Sequence, residues 1–245
     1  MSCLPLDELR PIQILDAATG AGNTTLEMAR ALHESGLNGK IISIDVDPEC
    51  WSGWAKPKLD EERLTGLVEF HVCDLRELSR LGLKYDGIFC STTLSIMGLD
   101  AIEAVEVWKD VLHSNGCISI YDYLPQSAPR TSDEKLSSFA WQLNKAADAL
   151  SGRLLCDEFA PEFWSRLLTE QGFAVEKVLT DTERPYRSQE SLDEFLSTSL
   201  DLNCVSDEVR IALNKAYEEV KQEIARRGRM TRLSGTFLLM ARRAS

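Results

Sequence analysis

The chain has 245 residues, 44% of them hydrophobic and 27% charged, with 14 Gly and 8 Pro. That size and balance suit one large globular domain with appended segments and exclude a fibrous, low-complexity or wholly disordered chain. The net charge of −12, from 27 Lys and Arg against 39 Asp and Glu, repels a phosphate backbone and argues against a dedicated nucleic-acid binder.

In chain order, Ile12 to Asp16 reads as a strand, and the turn Ala18-Thr19-Gly20-Ala21-Gly22 feeds a helix over residues 23–34 that Gly36 stops. Ile41 to Asp45 is a second apolar strand. The segment with Trp51, Trp54 and Pro57 is not expected to form one uninterrupted helix, since proline lacks an N–H and clashes with the preceding turn. Residues 67–72 form a third strand, and short helical material over 74–81 leads to a fourth at Tyr85 to Cys90. An amphipathic helix over 99–112 is stopped by Asn115-Gly116, and Cys117 to Tyr121 is the fifth strand. A helix over 161–171 precedes a strand over 173–179, and residues 235–241 supply the last of seven strands.

Strands alternating with helical segments make βαβ units, whose right-handed crossovers impose a mostly parallel sheet covered on both faces. The expected fold is therefore α/β and Rossmann-like, one domain over 1–245. Residues 124–159 and 181–232 interrupt the alternation with helices and no clear strand. Both begin near carboxyl ends of strands, where open α/β sheets bind ligands, so they are candidate lids or substrate walls.

No apolar run approaches the roughly 20 residues of a membrane span, and the N-terminus has no signal-like basic and apolar regions, so a cytoplasmic protein is expected. The 7 Cys are scattered and lack a CxxC pair, and His33, His71 and His113 have no ligand spacing, so neither disulfides nor a metal are indicated.

The sharpest constellation is Asp16-Ala17-Ala18-Thr19-Gly20-Ala21-Gly22 between a strand and a helix. Its glycines permit a tight turn and close ligand approach at the positive end of the helix dipole. Asp45 ends the second strand 23 positions after Gly22, close to the spacing at which a carboxylate accepts hydrogen bonds from ribose hydroxyls. Thr25 stands where a dinucleotide fingerprint has its third glycine, and no Gly-Lys-Ser/Thr follows the turn, so nicotinamide and nucleotide-triphosphate chemistries fit less well than another nucleoside-containing ligand.

Over residues 11–123, and again near 160–180 and 234–243, the chain resembles the class I S-adenosylmethionine-dependent methyltransferases. The resemblance implies a sheet order of 3-2-1-4-5-7-6 with an antiparallel last strand. It implies that Asp16, Ala17, Ala18, Thr19, Gly20 and Gly22 cradle the methionine part of S-adenosylmethionine and that Asp45 binds its ribose. Cys73 and Asp74 would border the adenine, and Ser91 would lie in the segment beneath the departing methyl group. Cys90-Ser91-Thr92 replaces the Asn/Asp-Pro-Pro-aromatic motif of amino methyltransferases acting on DNA or protein glutamine, which disfavours that acceptor class.

The favoured partner is a small-molecule methyl acceptor. An RNA or protein acceptor, and a non-catalytic adenosyl-binding role, stay open, and assembly is undetermined. Methyl transfer is an in-line displacement that needs alignment more than acid-base help, but an alcohol or ammonium acceptor must lose a proton. Asp122 and Tyr123, at the fifth strand's exit, are the candidate catalytic groups, with Thr92 and Thr93 as polar pocket groups. Trp51, Trp54 and Trp141 are candidate walls for an aromatic ligand, with packing the commoner role. The basic tract Lys221, Arg226, Arg227, Arg229, Arg232, Arg242 and Arg243 could meet an anion or form a solvated surface.

Overall fold

The computed structural model describes residues 10–151, 158–183, 186–200, 202 and 205–244. Seven strands run β1 Ile12–Ala17, β2 Gly39–Asp45, β3 Val68–Val72, β4 Tyr85–Ser91, β5 Leu112–Tyr123, β6 Phe173–Asp181 and β7 Thr236–Arg243. They form one sheet in the order β3-β2-β1-β4-β5-β7-β6. Only β7 runs against its neighbours, pairing antiparallel with β5 and β6.

Two-residue alternation along the strands divides the core between the two sheet faces. Ile12, Ile14 and Ile41 pack with Met28, Ala29 and Leu32 of α1 (Asn23–Ser35). Leu15, Ala17, Ile42 and Ile44 pack on the other face, in a cluster with Trp108 of α4 (Asp100–Val111) and Trp164 of α6 (Pro161–Glu170). Arg10 clamps the start of β1 to β4 by pairing with the buried Asp86 carboxylate, which also accepts from the Gln13 amide at 2.9 Å. The strand ends that carry the glycine turn are thus anchored from behind.

Two segments differ from their sequence expectation. The Trp51 region is helical throughout, as a π turn over Cys50–Ala55 that passes directly into α2 (Lys56–Glu61). Pro57 lies in the first turn of α2, where its missing N–H costs least. Likewise β5 starts at Leu112 rather than Cys117, because Asn115 takes φ 71 and a register shift opposite Tyr85 to Gly87 absorbs the Asn115-Gly116 pair inside the strand.

The interrupting segments contribute α5 (Ser132–Leu150), α7 (Gln189–Ser197) and α8 (Asp207–Arg227). Thr131 and Glu134 close a reciprocal capping box on α5. Ala140, Leu143, Leu192, Tyr217, Val220 and Ile224 make a separate apolar cluster that holds the three helices together. A short α3 (Leu94–Met97) follows β4. No helix among the described residues is long and apolar enough to cross a membrane.

Candidate functional site

After β1 the backbone places Ala18 (φ 82), Gly20 (φ 47) and Gly22 (φ 76) in the left-handed region, one residue in two. Glycine meets that demand without steric cost, whereas Ala18 carries a Cβ into it. Gly22 is fixed by space as well: a Cβ there would stand 2.5 Å from the Cα of Ala55 in the π turn. Around Gly20 nothing lies within 4 Å of the equivalent point, so that side of the turn is open to a ligand.

Three amides of the turn are engaged by the protein itself. Thr19 donates to the Ile44 carbonyl at 2.8 Å, Gly20 to Asp45 Oδ2 at 2.9 Å, and Gly22 to the Thr19 carbonyl at 2.8 Å. They are therefore unavailable to a diphosphate, which the amide cradles of nucleotide sites bind. Beneath the turn Asp16 is fully buried; its Oδ2 accepts from Thr25 Oγ1 and, at 3.1 Å, from Ser43 Oγ, while Oδ1 has no partner. Burial, outweighing these hydrogen bonds, pushes the Asp16 pKa up to about 7.

In front of the turn lies a cavity of about 540 Å³. Three carboxylates face it, from Asp45, Asp74 and Asp100, with Arg76 as the one cation among its lining residues. Arg76 is already shared, pairing with Asp74 at 2.8 Å and with Asp100 at 2.9 Å. That guanidinium holds the Asp74 carboxyl below the usual carboxylate range. Ile44, Val46, Leu75, Ile96 and Met97 give the cavity an apolar lining. A cavity with an acidic rim and an apolar wall suits a ligand that combines hydroxyl or amine donors, positive charge and a flat ring. S-Adenosylmethionine has those features, and the open side of Gly20 leaves room for it.

Of the residues singled out from sequence, Ala18, Thr19, Gly20, Asp45, Cys73, Asp74 and Ser91 line this cavity, as do Thr92 and Thr93. Asp16, Ala17 and Gly22 do not: Asp16 and Ala17 lie in the buried sheet and Gly22 packs on Ala55. Val46, Arg76, Ile96 and Met97 line it without any motif to announce them.

The expected catalytic pair separates. Asp122 lines no described cavity; it accepts from the Ser95 amide at 3.0 Å, Ser95 Oγ at 2.7 Å and the Tyr123 amide at 2.8 Å, tying β5 to α3. Its pKa is raised by burial, but its hydrogen bonds commit the carboxylate to the fold. Tyr123 faces a second cavity of about 420 Å³, where Trp141 of α5, Arg187, Phe195 of α7 and Tyr217 of α8 also stand. Burial raises the Tyr123 pKa above its ordinary value, keeping the phenol protonated.

Both interrupting segments thus wall the second cavity, and none of their described residues lines the first. Trp51 stacks on Phe70 at 5.3 Å, and Trp54 is exposed. His71 bonds Glu69 at 3.0 Å and lines neither cavity. No group of three or more His, Cys, Asp or Glu among the described residues converges on a metal position.

The sheet order, the antiparallel β7 and the flanking helices define a class I S-adenosylmethionine-dependent methyltransferase-like fold. The family model described as a methyltransferase domain matches residues 14–116. Among solved structures, a cyclopropane-fatty-acyl-phospholipid synthase-like protein from Lactobacillus casei is 16% identical at a TM-score of 0.63, with 96% of this chain and 86% of that one covered. The cyclase SpnF is 17% identical at 0.58, covering 96% and 76%. A geranyl diphosphate methyltransferase in complex with GPP and sinefungin is 14% identical at 0.54, covering 96% and 71%. No curated protein matches the chain.

Proposed function

We propose that the chain binds S-adenosylmethionine in the cavity at the glycine turn and transfers its methyl group to a small molecule. The observation that carries this reading is the placement of Asp45. From the end of β2 its Oδ2 accepts from the Gly20 amide at 2.9 Å and its Oδ1 from the Asp47 amide at 3.1 Å, and the carboxylate lines the cavity beside Asp74 and Asp100. Such a rim favours a ribose diol, an exocyclic amine and a cationic centre over a diphosphate.

Bound S-adenosylmethionine supplies a methyl group activated by sulfonium. Held at the rim by Asp45 and Asp74, the cofactor would give its methyl to the acceptor's lone pair and keep the electron pair of the carbon–sulfur bond, and an acceptor proton would leave to solvent once the product is released. The chain's share is alignment and exclusion of solvent. Tyr123, protonated at neutral pH, donates a hydrogen bond to the acceptor rather than removing its proton. Asp122 holds α3, and with it Ile96 and Met97 of the cavity wall.

SpnF shows that this fold also houses a cyclase, so the reaction has to be argued from the site and not from the scaffold. Against an RNA acceptor, the basic tract is largely paired within the chain. Arg226 and Arg227 sit on Glu223, Arg227 and Arg229 on Asp133, and Arg242 on Glu176.

The test is incubation with methyl-labelled S-adenosylmethionine and the separated metabolite, RNA and protein fractions of a cell extract. Label should enter the metabolite fraction and fail to do so with Asp45→Ala. Label entering only RNA or protein, or no transfer at all, overturns the reading.

A further inference from the structure

The second cavity has an electrostatic character opposite to that of the first. Arg187 is half-buried there; its Nε is buried without a hydrogen-bond partner, and among the described residues its Nη1 reaches only Ser191 Oγ, at 3.3 Å. No carboxylate among the described residues lies within ion-pair distance of it. Arg232 lines the same cavity and acts on Arg187 as a like charge. Two guanidiniums thus border one space, Arg232 exposed and Arg187 half-buried, and the carboxylate that acts on Arg187 as an opposite charge, the exposed Glu194, does not pair with it.

Two acidic residues also border the space. Glu158 is turned to the wall, accepting from Ser234 Oγ at 2.8 Å and the Gln126 amide at 3.0 Å. Glu194 is exposed and beyond ion-pair distance of Arg187. Tyr123 adds a neutral donor, and Trp141, Phe195 and Met230 supply flat or apolar wall.

We propose that this cavity takes an organic anion, an apolar or aromatic body carrying a carboxylate that Arg187 binds with Tyr123 and Arg232 beside it. The inference deepens the methyl-transfer reading and rests on it for naming that anion as the acceptor. The two cavities lie at the exits of paired strands: Ser91 ends β4 and Thr92 and Thr93 follow it, Tyr123 ends β5, and the Thr92 amide donates to the Tyr121 carbonyl at 2.7 Å. A guanidinium is suited to this task because its planar donors match a carboxylate and it keeps its charge when desolvated.

The probe is 3-phenylpropionate, titrated calorimetrically, with its primary amide and inorganic phosphate as comparisons. In parallel, S-adenosylhomocysteine binding is measured calorimetrically on the same samples. The acid should bind at least about tenfold more tightly than the amide, the worth of one charge-assisted hydrogen bond. Arg187→Gln should reduce the acid to the amide's affinity, and Arg187→Lys should restore part of the preference, while S-adenosylhomocysteine binding reports that both variants are folded.

Equal binding of acid and amide, no binding of either, phosphate competing as well as the acid, or a preference that survives Arg187→Gln each overturns the proposal. If S-adenosylhomocysteine binds normally in such a case, the methyl-transfer reading stands alone. A carboxylate preference without S-adenosylhomocysteine binding would instead keep the anion site and remove its role as acceptor site.

Discussion

Replacing Asp16 by Asn should flatten a pH dependence of folding stability that the wild-type chain owes to this one group. The carboxyl has an ordinary pKa of 3.8 and, buried beneath the glycine turn, one of about 7. Between those values the folded state retains a proton that the unfolded state has lost. Its stability contribution is therefore complete below the unfolded pKa, declines as pH rises, and is gone above the folded pKa. At about 1.36 kcal/mol per unit, the whole window spans roughly 4 kcal/mol, of which roughly 2–3 kcal/mol falls between about pH 5 and pH 8.

The assay is urea unfolding of both proteins at those two pH values. Wild type minus Asp16→Asn cancels the other titrating groups and isolates Asp16. The wild type should lose roughly 2–3 kcal/mol relative to the variant on going from the lower to the higher pH. Parallel pH dependences would refute the claim that Asp16 is a desolvated internal support. They would fit an Asp16 held ionised by a partner, a role closer to ligand binding.

Other substitutions probe the turn and its neighbours. Gly22→Ala should destabilise the fold by roughly 2 kcal/mol or more, from overpacking and a left-handed backbone, and chemical denaturation checks it; an unchanged midpoint would contradict the close approach of Ala55. Ala18→Gly should raise stability by roughly 0.5–1 kcal/mol through relief at φ 82, measured the same way. Asp122→Ala should cost roughly 2–3 kcal/mol, because it strands the buried Ser95 amide and hydroxyl, yet leave the pH profile of turnover unaltered; a lost pH limb would restore Asp122 as a catalytic group. Tyr123→Phe should weaken acceptor binding in KM more than kcat, since a protonated phenol orients the acceptor without acting as base.

The alternation of apolar strands and helices made the sheet legible in sequence, because each strand buries two faces and each helix one stripe. The glycine turn and Asp45 were legible for a similar reason: φ above zero and a carboxylate at a strand end leave local marks. The limits have equally specific causes. Asp122 lies on the strand parity of Ile118 and Ile120, which are buried, and Asp16 on that of Ile12 and Ile14. That two-residue parity was the available signal that both carboxylates face inward. Tyr123 has the opposite parity and reaches a cavity. Arg187 leaves no trace, since it stands in a connection without a motif and acquires its setting from α5, which ends at Leu150, 37 residues before it, and from Tyr217 of α8, 30 residues after it. Thr25, read only as a missing glycine, proves to be the hydroxyl that donates to Asp16.

The central claim is that the acidic cavity at the glycine turn selects an adenosyl sulfur ligand rather than a dinucleotide. Calorimetric titration of ligand-free protein with S-adenosylhomocysteine, and separately with oxidised nicotinamide cofactor, tests it directly. A saturable 1:1 isotherm for S-adenosylhomocysteine alone, weakened at least about tenfold by Asp45→Ala, is the predicted result. Binding of the nicotinamide cofactor, or no heat with either ligand, would contradict it.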